Sequence, residues 1–188
     1  MNILYLCRKD LYQNKAKLAK NNSKHNNIKT QQNIMERTLV LLKPVTIQRG
    51  LAGEVIKRFE QKGLKIAGMK MMQLDDAILN EHYAHLVDRP FFPGLKKSMT
   101  RTPVVAMCLE GVGAVDVVRQ MAGATNGRKA LPGTIRGDFS MSGQQNIVHA
   151  SDSLESAAVE VKRFFKDEEI FDYAGVACTD YGYADDEV

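Results

Sequence analysis

His149 lies in the run Asn146-Ile147-Val148-His149-Ala150-Ser151-Asp152. An imidazole with a pKa of about 6.5 is largely neutral at pH 7 and can serve as nucleophile or base. A single histidine at a strand end can equally be an ordinary satisfied side chain. His82 and His85 stand three apart and could share a metal, but no third ligand accompanies them. Lys43 closes an apolar run beside Pro44, an odd place for an idle charge. Glu160 falls about a quarter-turn off the apolar stripe of its helix. Its side chain leans toward the helix N-terminus, the end nearest His149. There it is either a solvated glutamate or a carboxylate able to hold an imidazole ring and favour one tautomer. Cys7, Cys108 and Cys178 are too few and too scattered for a disulfide framework or a metal site, which points to a reducing cytoplasm.

The elements that must position these groups alternate between strand and helix. Thr38–Leu42 is a short buried-type strand ended by Pro44. Leu51, Val55, Ile56 and Phe59 share a helical face, with Gly63 as the stop. Leu64–Leu74 alternates as a second strand. Asp75 caps a helix from Asp76 to about Leu86, and Arg89-Pro90-Phe91-Phe92-Pro93-Gly94 breaks the pattern as an aromatic, proline-rich turn. Val104–Leu109 is a third strand, Val115–Met121 a short helix, and Thr125–Gly137 a long loop. Ile147–Ala150 forms a fourth strand. Asp152 then opens a helix, with Glu155 three places on as a capping box. Its stripe is Leu154, Ala157, Ala158, Val161, Phe164 and Phe165. Strand–helix–strand occurs twice, with a long insertion before the fourth strand. That order suggests an α+β fold, a split βαβ sandwich, although periodicity alone does not choose it over other α/β arrangements.

Charge divides the chain unevenly. Residues 1–34 carry seven basic side chains and one acid, leaving 19 basic and 21 acidic residues in 35–188. The body is therefore near neutral, which argues against a nucleic-acid-binding body. No apolar run reaches membrane-spanning length. Asn21–Asn27 and Gln31–Asn33 are polar low-complexity stretches that bury too little apolar surface to order. The extension could be a targeting peptide, a binding arm for nucleic acid or membrane, or a dispensable disordered segment. The last is favoured, because Met35 immediately precedes the first strand.

The run Asn146–Asp152 resembles the signature Asn-x-x-His-Gly-Ser-Asp of the nucleoside diphosphate kinase family. Arg37-Thr38 through Lys43-Pro44, Gln48-Arg49-Gly50, Arg89–Phe92 and Pro132–Asp138 follow at the family's spacing, so the resemblance spans essentially all of 36–188. It implies a ferredoxin-like, four-stranded antiparallel sheet with helices packed on it. It implies ping-pong transfer of the γ-phosphate from a nucleoside triphosphate, chiefly ATP, to a nucleoside diphosphate, with Mg²⁺ entering mainly through the nucleotide phosphates. His149 would carry the phosphate on Nδ1, with Glu160 holding its ring, Tyr83 nearby, and Ser151 a hydrogen-bonding partner near the phosphate. Lys43, Arg119, Thr125 and Arg136 would cradle the phosphates, Lys43 and Asn146 would contact the ribose, and Phe91 would stack on the base. No Walker-type glycine loop is present. The family forms hexamers and tetramers, and the segment Tyr173–Val188 favours a hexamer. The competing reading is a family-like binding or scaffold module that uses the basic extension.

Four departures stand out. Val45-Thr46 occupies a turn that usually suits Asp and Gly. Gly143 replaces a usual valine facing the base. Ala150 replaces the usual glycine, which would strain the backbone if the position needs positive φ. The stretch Asn126–Lys129 lacks a proline that many oligomeric members carry.

Overall fold

The structure is a computed structural model that describes residues 35–173. The expectations for residues 1–34 and for most of Tyr173–Val188 lie outside the described residues. Four strands form one antiparallel sheet in the order β2-β3-β1-β4: β1 Met35–Leu42, β2 Lys65–Met72, β3 Val104–Val112 and β4 Val148–Ala150. Between them run α1 Pro44–Gln48, α2 Ala52–Gln61, α3 Asp76–His82, α4 Phe92–Met99, α5 Ala114–Ala122 and α6 Ile135–Phe139, and α7 Leu154–Phe164 follows β4. The pairs β1–α2–β2 and β3–α5–β4 form the split βαβ arrangement.

The central strand β1 explains the two-layered core. Successive side chains point to opposite faces, and residues 38–42 are all fully buried. Leu39 and Leu41 enter one cluster with Leu79, Leu95, Val161 and Phe164. Val40 and Leu42 enter the other with Val55, Phe59, Val118 and Ile135. Helices α3, α4 and α7 thus cover one face, and α2, α5 and α6 the other.

Several boundaries differ from the sequence expectation. Pro44 ends β1 but opens α1, because proline's fixed φ and missing N–H suit the first helical turn. Pro93 does the same for α4, so the aromatic turn at 89–94 runs directly into a helix. The expected helix to Leu86 stops at His82 and continues as a 3₁₀ turn over Ala84–Leu86. The stretch expected as a loop over 125–137 contains a 3₁₀ turn at Gly127–Lys129 and the start of α6. Asp75 caps α3 as expected, its Oδ1 accepting from Ile78 N at 2.9 Å. The capping box at Asp152 and Glu155 is corrected: Ser153 caps α7, its Oγ accepting from Ser156 N at 3.1 Å. Leu154 and Ala158, expected on the buried stripe, are exposed, Leu154 at 54%.

Candidate active site

The short strand β4 is entered through a strained turn. Ile147 has φ 71°, the sole positive φ among the described non-glycine residues. A β-branched residue resists this conformation, so its surroundings must impose it. Val148 N donates to Asn146 O at 2.8 Å across the turn. The Ile147 carbonyl accepts from Lys43 N at 2.9 Å and from Thr46 Oγ1 at 2.5 Å. Arg136 spans the outside, donating to Asn146 O at 3.2 Å, Gly123 O at 2.7 Å and Val148 O at 2.8 Å. Val45-Thr46 therefore builds a helical turn that grips this bend. Ala150 has no positive φ, so the alanine costs no backbone strain.

His149 follows, opposite Leu41 of β1. Its Nε2 lies 3.0 Å from Glu160 Oε2. Ser151 Oγ donates to the same oxygen at 2.6 Å and accepts from Leu39 N at 3.2 Å. Burial raises the Glu160 pKa, but hydrogen bonds from His149 and Ser151 bring it below the usual carboxylate value. An ionised carboxylate only accepts, so Nε2 carries the proton and Nδ1 keeps its lone pair. Ser151 is fully buried behind Glu160 and does not line the cleft. Its hydrogen bonds fix the carboxylate that holds His149.

His149 and Glu160 open onto a cleft of about 970 Å³. Lys43, Arg119, Thr125, Arg136 and Asn146 line one part of it, Tyr83 lies beside the histidine, and Phe91 stands on the lip, 53% exposed. Nine of the ten expected side chains thus converge, with Ser151 directly behind. Lys43 Nζ donates to Asn146 Oδ1 at 2.6 Å, and Asn146 Nδ2 donates to Thr125 O at 2.8 Å. Burial, and then the neighbouring Arg136, lower the Lys43 pKa to about 7. Burial and Arg119 lower that of Arg136 to about 10. Lys43, Arg119 and Arg136 bring positive charge to one part of a cleft whose lining also holds Glu81, Asp152, Glu155 and Glu160, and that part suits a polyanion. Burial also pushes the Tyr83 hydroxyl pKa up, with Glu160 adding to the effect.

His82 was visible in the sequence only as a possible metal partner of His85. The structure instead packs it edge-on against His149, with ring centroids 4.5 Å apart, and places Nδ1 3.8 Å from Glu160 Oε1. Burial, then His149, lower its pKa to about 3, so it is neutral. Arg163 lies 3.4 Å from its Nδ1 and pairs with Glu81 at 2.7 Å. Ligand atoms of His82, His149 and Glu160 come within 4.8 Å of one another, the one such trio among the described residues. The Arg163 guanidinium against the same His82 nitrogen opposes a metal cation there.

Fold and site together define a phosphotransferase that acts on nucleotides. Residues 36–170 match the family described as nucleoside diphosphate kinase. The chain is similar to the nucleoside diphosphate kinase of Parabacteroides distasonis, 66% identical over 139 residues, which are 74% of this chain and 91% of that one. Among solved structures it is similar to the Halobacterium salinarum nucleoside diphosphate kinase in complex with CDP. That match has a TM-score of 0.75 and 44% identity, covering 77% of this chain and 96% of that one. It is also similar to the Borrelia burgdorferi nucleoside-diphosphate kinase, a transition state mimic with bound vanadate and ADP. There the TM-score is 0.71 and the identity 37%, over 75% and 93% of the two chains. The chain belongs to the nucleoside diphosphate kinase family.

Proposed function

We propose that the protein passes the γ-phosphate of a nucleoside triphosphate, chiefly ATP, to a nucleoside diphosphate through a phosphohistidine on His149. The observation that carries this reading is the hydrogen bond from His149 Nε2 to Glu160, which leaves Nδ1 as the nucleophilic nitrogen in a cleft that Lys43, Arg119 and Arg136 also line. In the first half-reaction the Nδ1 lone pair attacks the γ-phosphorus. The bond to the bridging oxygen breaks, its electrons stay on the departing diphosphate, and the ring's positive charge faces ionised Glu160. In the second half-reaction a β-phosphate oxygen of the acceptor attacks the phosphohistidine, and the electrons return to Nδ1. Arg136 and Lys43 neutralise the transferring oxygens, and Arg119 and Thr125 hold the rest of the phosphate chain. Asn146 and Lys43 meet the ribose and Phe91 takes the base. Positioning and charge neutralisation dominate such chemistry.

Mg²⁺ fits this donor set as a companion of the nucleotide. Carboxylates line the cleft, but among the described residues they gather into no ligand cluster of their own, so phosphate oxygens and water would coordinate the ion. When bound, it neutralises further phosphate charge. The protein then works as a homo-oligomer, hexamer favoured over tetramer. Strand β2 is a sheet edge with Met69 and Met71 exposed, a surface suited to self-association. Its setting is the cytoplasm, where the buried thiol of Cys108 stays reduced. No helix among the described residues is long and apolar enough to cross a membrane. Residues 1–34 are dispensable for this exchange. A pulse–chase experiment tests the function: γ-labelled ATP should load acid-labile phosphate onto the protein, and unlabelled diphosphate should remove it as labelled triphosphate. Label that stays on the protein, or leaves as inorganic phosphate, would contradict exchange.

A further inference from the structure

We propose that Gln144 reads the edge of the bound base, with a carboxamide able to pair with amino and keto bases alike. This deepens the reading above and rests on its placement of the base at Phe91.

The loop between α6 and β4 is held firmly. Ser142 Oγ accepts from the backbone N–H groups of Gln144 and Gln145 at 3.1 and 3.0 Å. Ser140 Oγ donates to Ser142 O at 3.0 Å. Gln145 Nε2 donates to Ser98 Oγ at 2.8 Å, which ties the loop to α4. Its neighbour Gln144 is exposed and lines the cleft, as does Phe91. The Gln144 amide lies over the first turn of α4. A side chain at Gly94 would place its Cβ 3.3 Å from Nε2 and 4.0 Å from Oε1, so the missing Cβ leaves room for it. Gly94 is only three residues beyond Phe91, which puts an aromatic face and a carboxamide on the same lip. Gly143 faces open space where a side chain would stand, so nothing at that position screens the amide from a stacked base. Among the described residues the Gln144 amide makes no hydrogen bond. Its donor and its acceptor are both available to a ligand.

A carboxamide offers one acceptor oxygen beside two donor hydrogens. Rotation about its last torsion, which is broad and two-fold, exchanges their places. Adenine and cytosine present an amino donor next to a ring-nitrogen acceptor. Guanine and uracil present a carbonyl acceptor next to a ring N–H donor. One orientation of Gln144 matches the first pair and the flipped orientation matches the second. The residue therefore adds affinity without choosing a base. A carboxylate only accepts. In its place it would pair with the adjacent N1–H and N2–H donors of guanine and repel the ring-nitrogen acceptor of adenine.

The test is single-turnover dephosphorylation of the phosphoenzyme by ADP, GDP, CDP and UDP, comparing wild type with Gln144→Ala, Gln144→Glu and Phe91→Ala. Gln144→Ala should lower kcat/KM by a similar factor for all four acceptors, about tenfold for the loss of one or two net hydrogen bonds, and the change should fall in KM rather than kcat. Gln144→Glu should raise the ratio of kcat/KM for GDP to that for ADP by about tenfold or more on the same reckoning. A general effect of the added negative charge cancels in that ratio. If Phe91→Ala weakens every acceptor while the GDP-to-ADP ratio stays fixed in Gln144→Glu, the base reader is overturned and the base site stands. If Phe91→Ala also has no effect, the placement of the base itself falls.

Discussion

Glu160 uses its two oxygens differently. Oε2 receives His149 and Ser151, whereas Oε1 faces His82 Nδ1 at 3.8 Å. A charged His82 would compete with His149 for this carboxylate, and burial keeps it neutral. Lys43 shows the converse electrostatics. Burial and Arg136 hold its pKa near 7 in the nucleotide-free protein, whereas an unfolded lysine keeps its proton to about 10.4. The unfolded state therefore binds more protons between these values, and the nucleotide-free fold gains stability as pH rises through that window. Bound phosphate favours the charged form. Nucleotide binding should thus take up a proton above pH 7, and affinity should fall as pH rises further. Calorimetry at about pH 8 in buffers of different ionisation enthalpy reads this uptake directly, and Lys43→Gln should abolish it. An identical buffer dependence in wild type and variant would remove Lys43 as the source.

At the scale of elements, α1 and α6 serve the bend before β4 more than they serve the core. Thr46 is fully buried, and its hydroxyl donates to the Ile147 carbonyl. Thr46→Val keeps the shape and removes the donor. It should cost about 1 kcal/mol in urea denaturation and slow turnover as well. A stability loss with no change in kcat would separate the bend from the chemistry. Arg136 combines a clamp on three backbone carbonyls with a charge in the cleft. Arg136→Ala should lower kcat on the order of 10²-fold. Arg136→Lys should recover little, because an ammonium cannot present the same planar fork; near-complete recovery would show that charge alone suffices.

The same elements show what could be read from the residues. The helices α2, α5 and α7 are legible because the apolar stripe of each faces one of the two core layers, and the central strands because they are buried on both faces. Helices α1 and α4 are not, because Pro44 and Pro93 act as breakers in sequence and as helix openers in place. The sequence raises strain only conditionally, at Ala150, and gives no sign of the positive φ at Ile147, since a strained bend follows from what grips it and not from residue type. His82 and Arg163 escaped notice because their partners are 67 and 81 residues away or reach them only through α3 packing on α7. The hint was spacing: His82 follows buried Leu79 by three residues, on the helix face turned inward.

For the whole molecule, the charge imbalance of residues 1–34 sits apart from a near-neutral body, and every side chain placed in the site lies beyond Met35. A chain beginning at Met35 should keep the oligomeric mass, the melting temperature and the exchange rate of the full chain. A large loss of exchange would tie the extension to the cleft or to a subunit contact. The central claim is that His149 carries the phosphate between two nucleotides. It is tested most directly by loading the full chain with labelled phosphate from ATP, digesting it, and locating the label. The account predicts acid-labile, base-stable phosphate on the peptide holding His149, and none on His149→Ala, whose exchange should be lost while its fold is retained. Label on another residue, or appreciable exchange by pure His149→Ala, would contradict it.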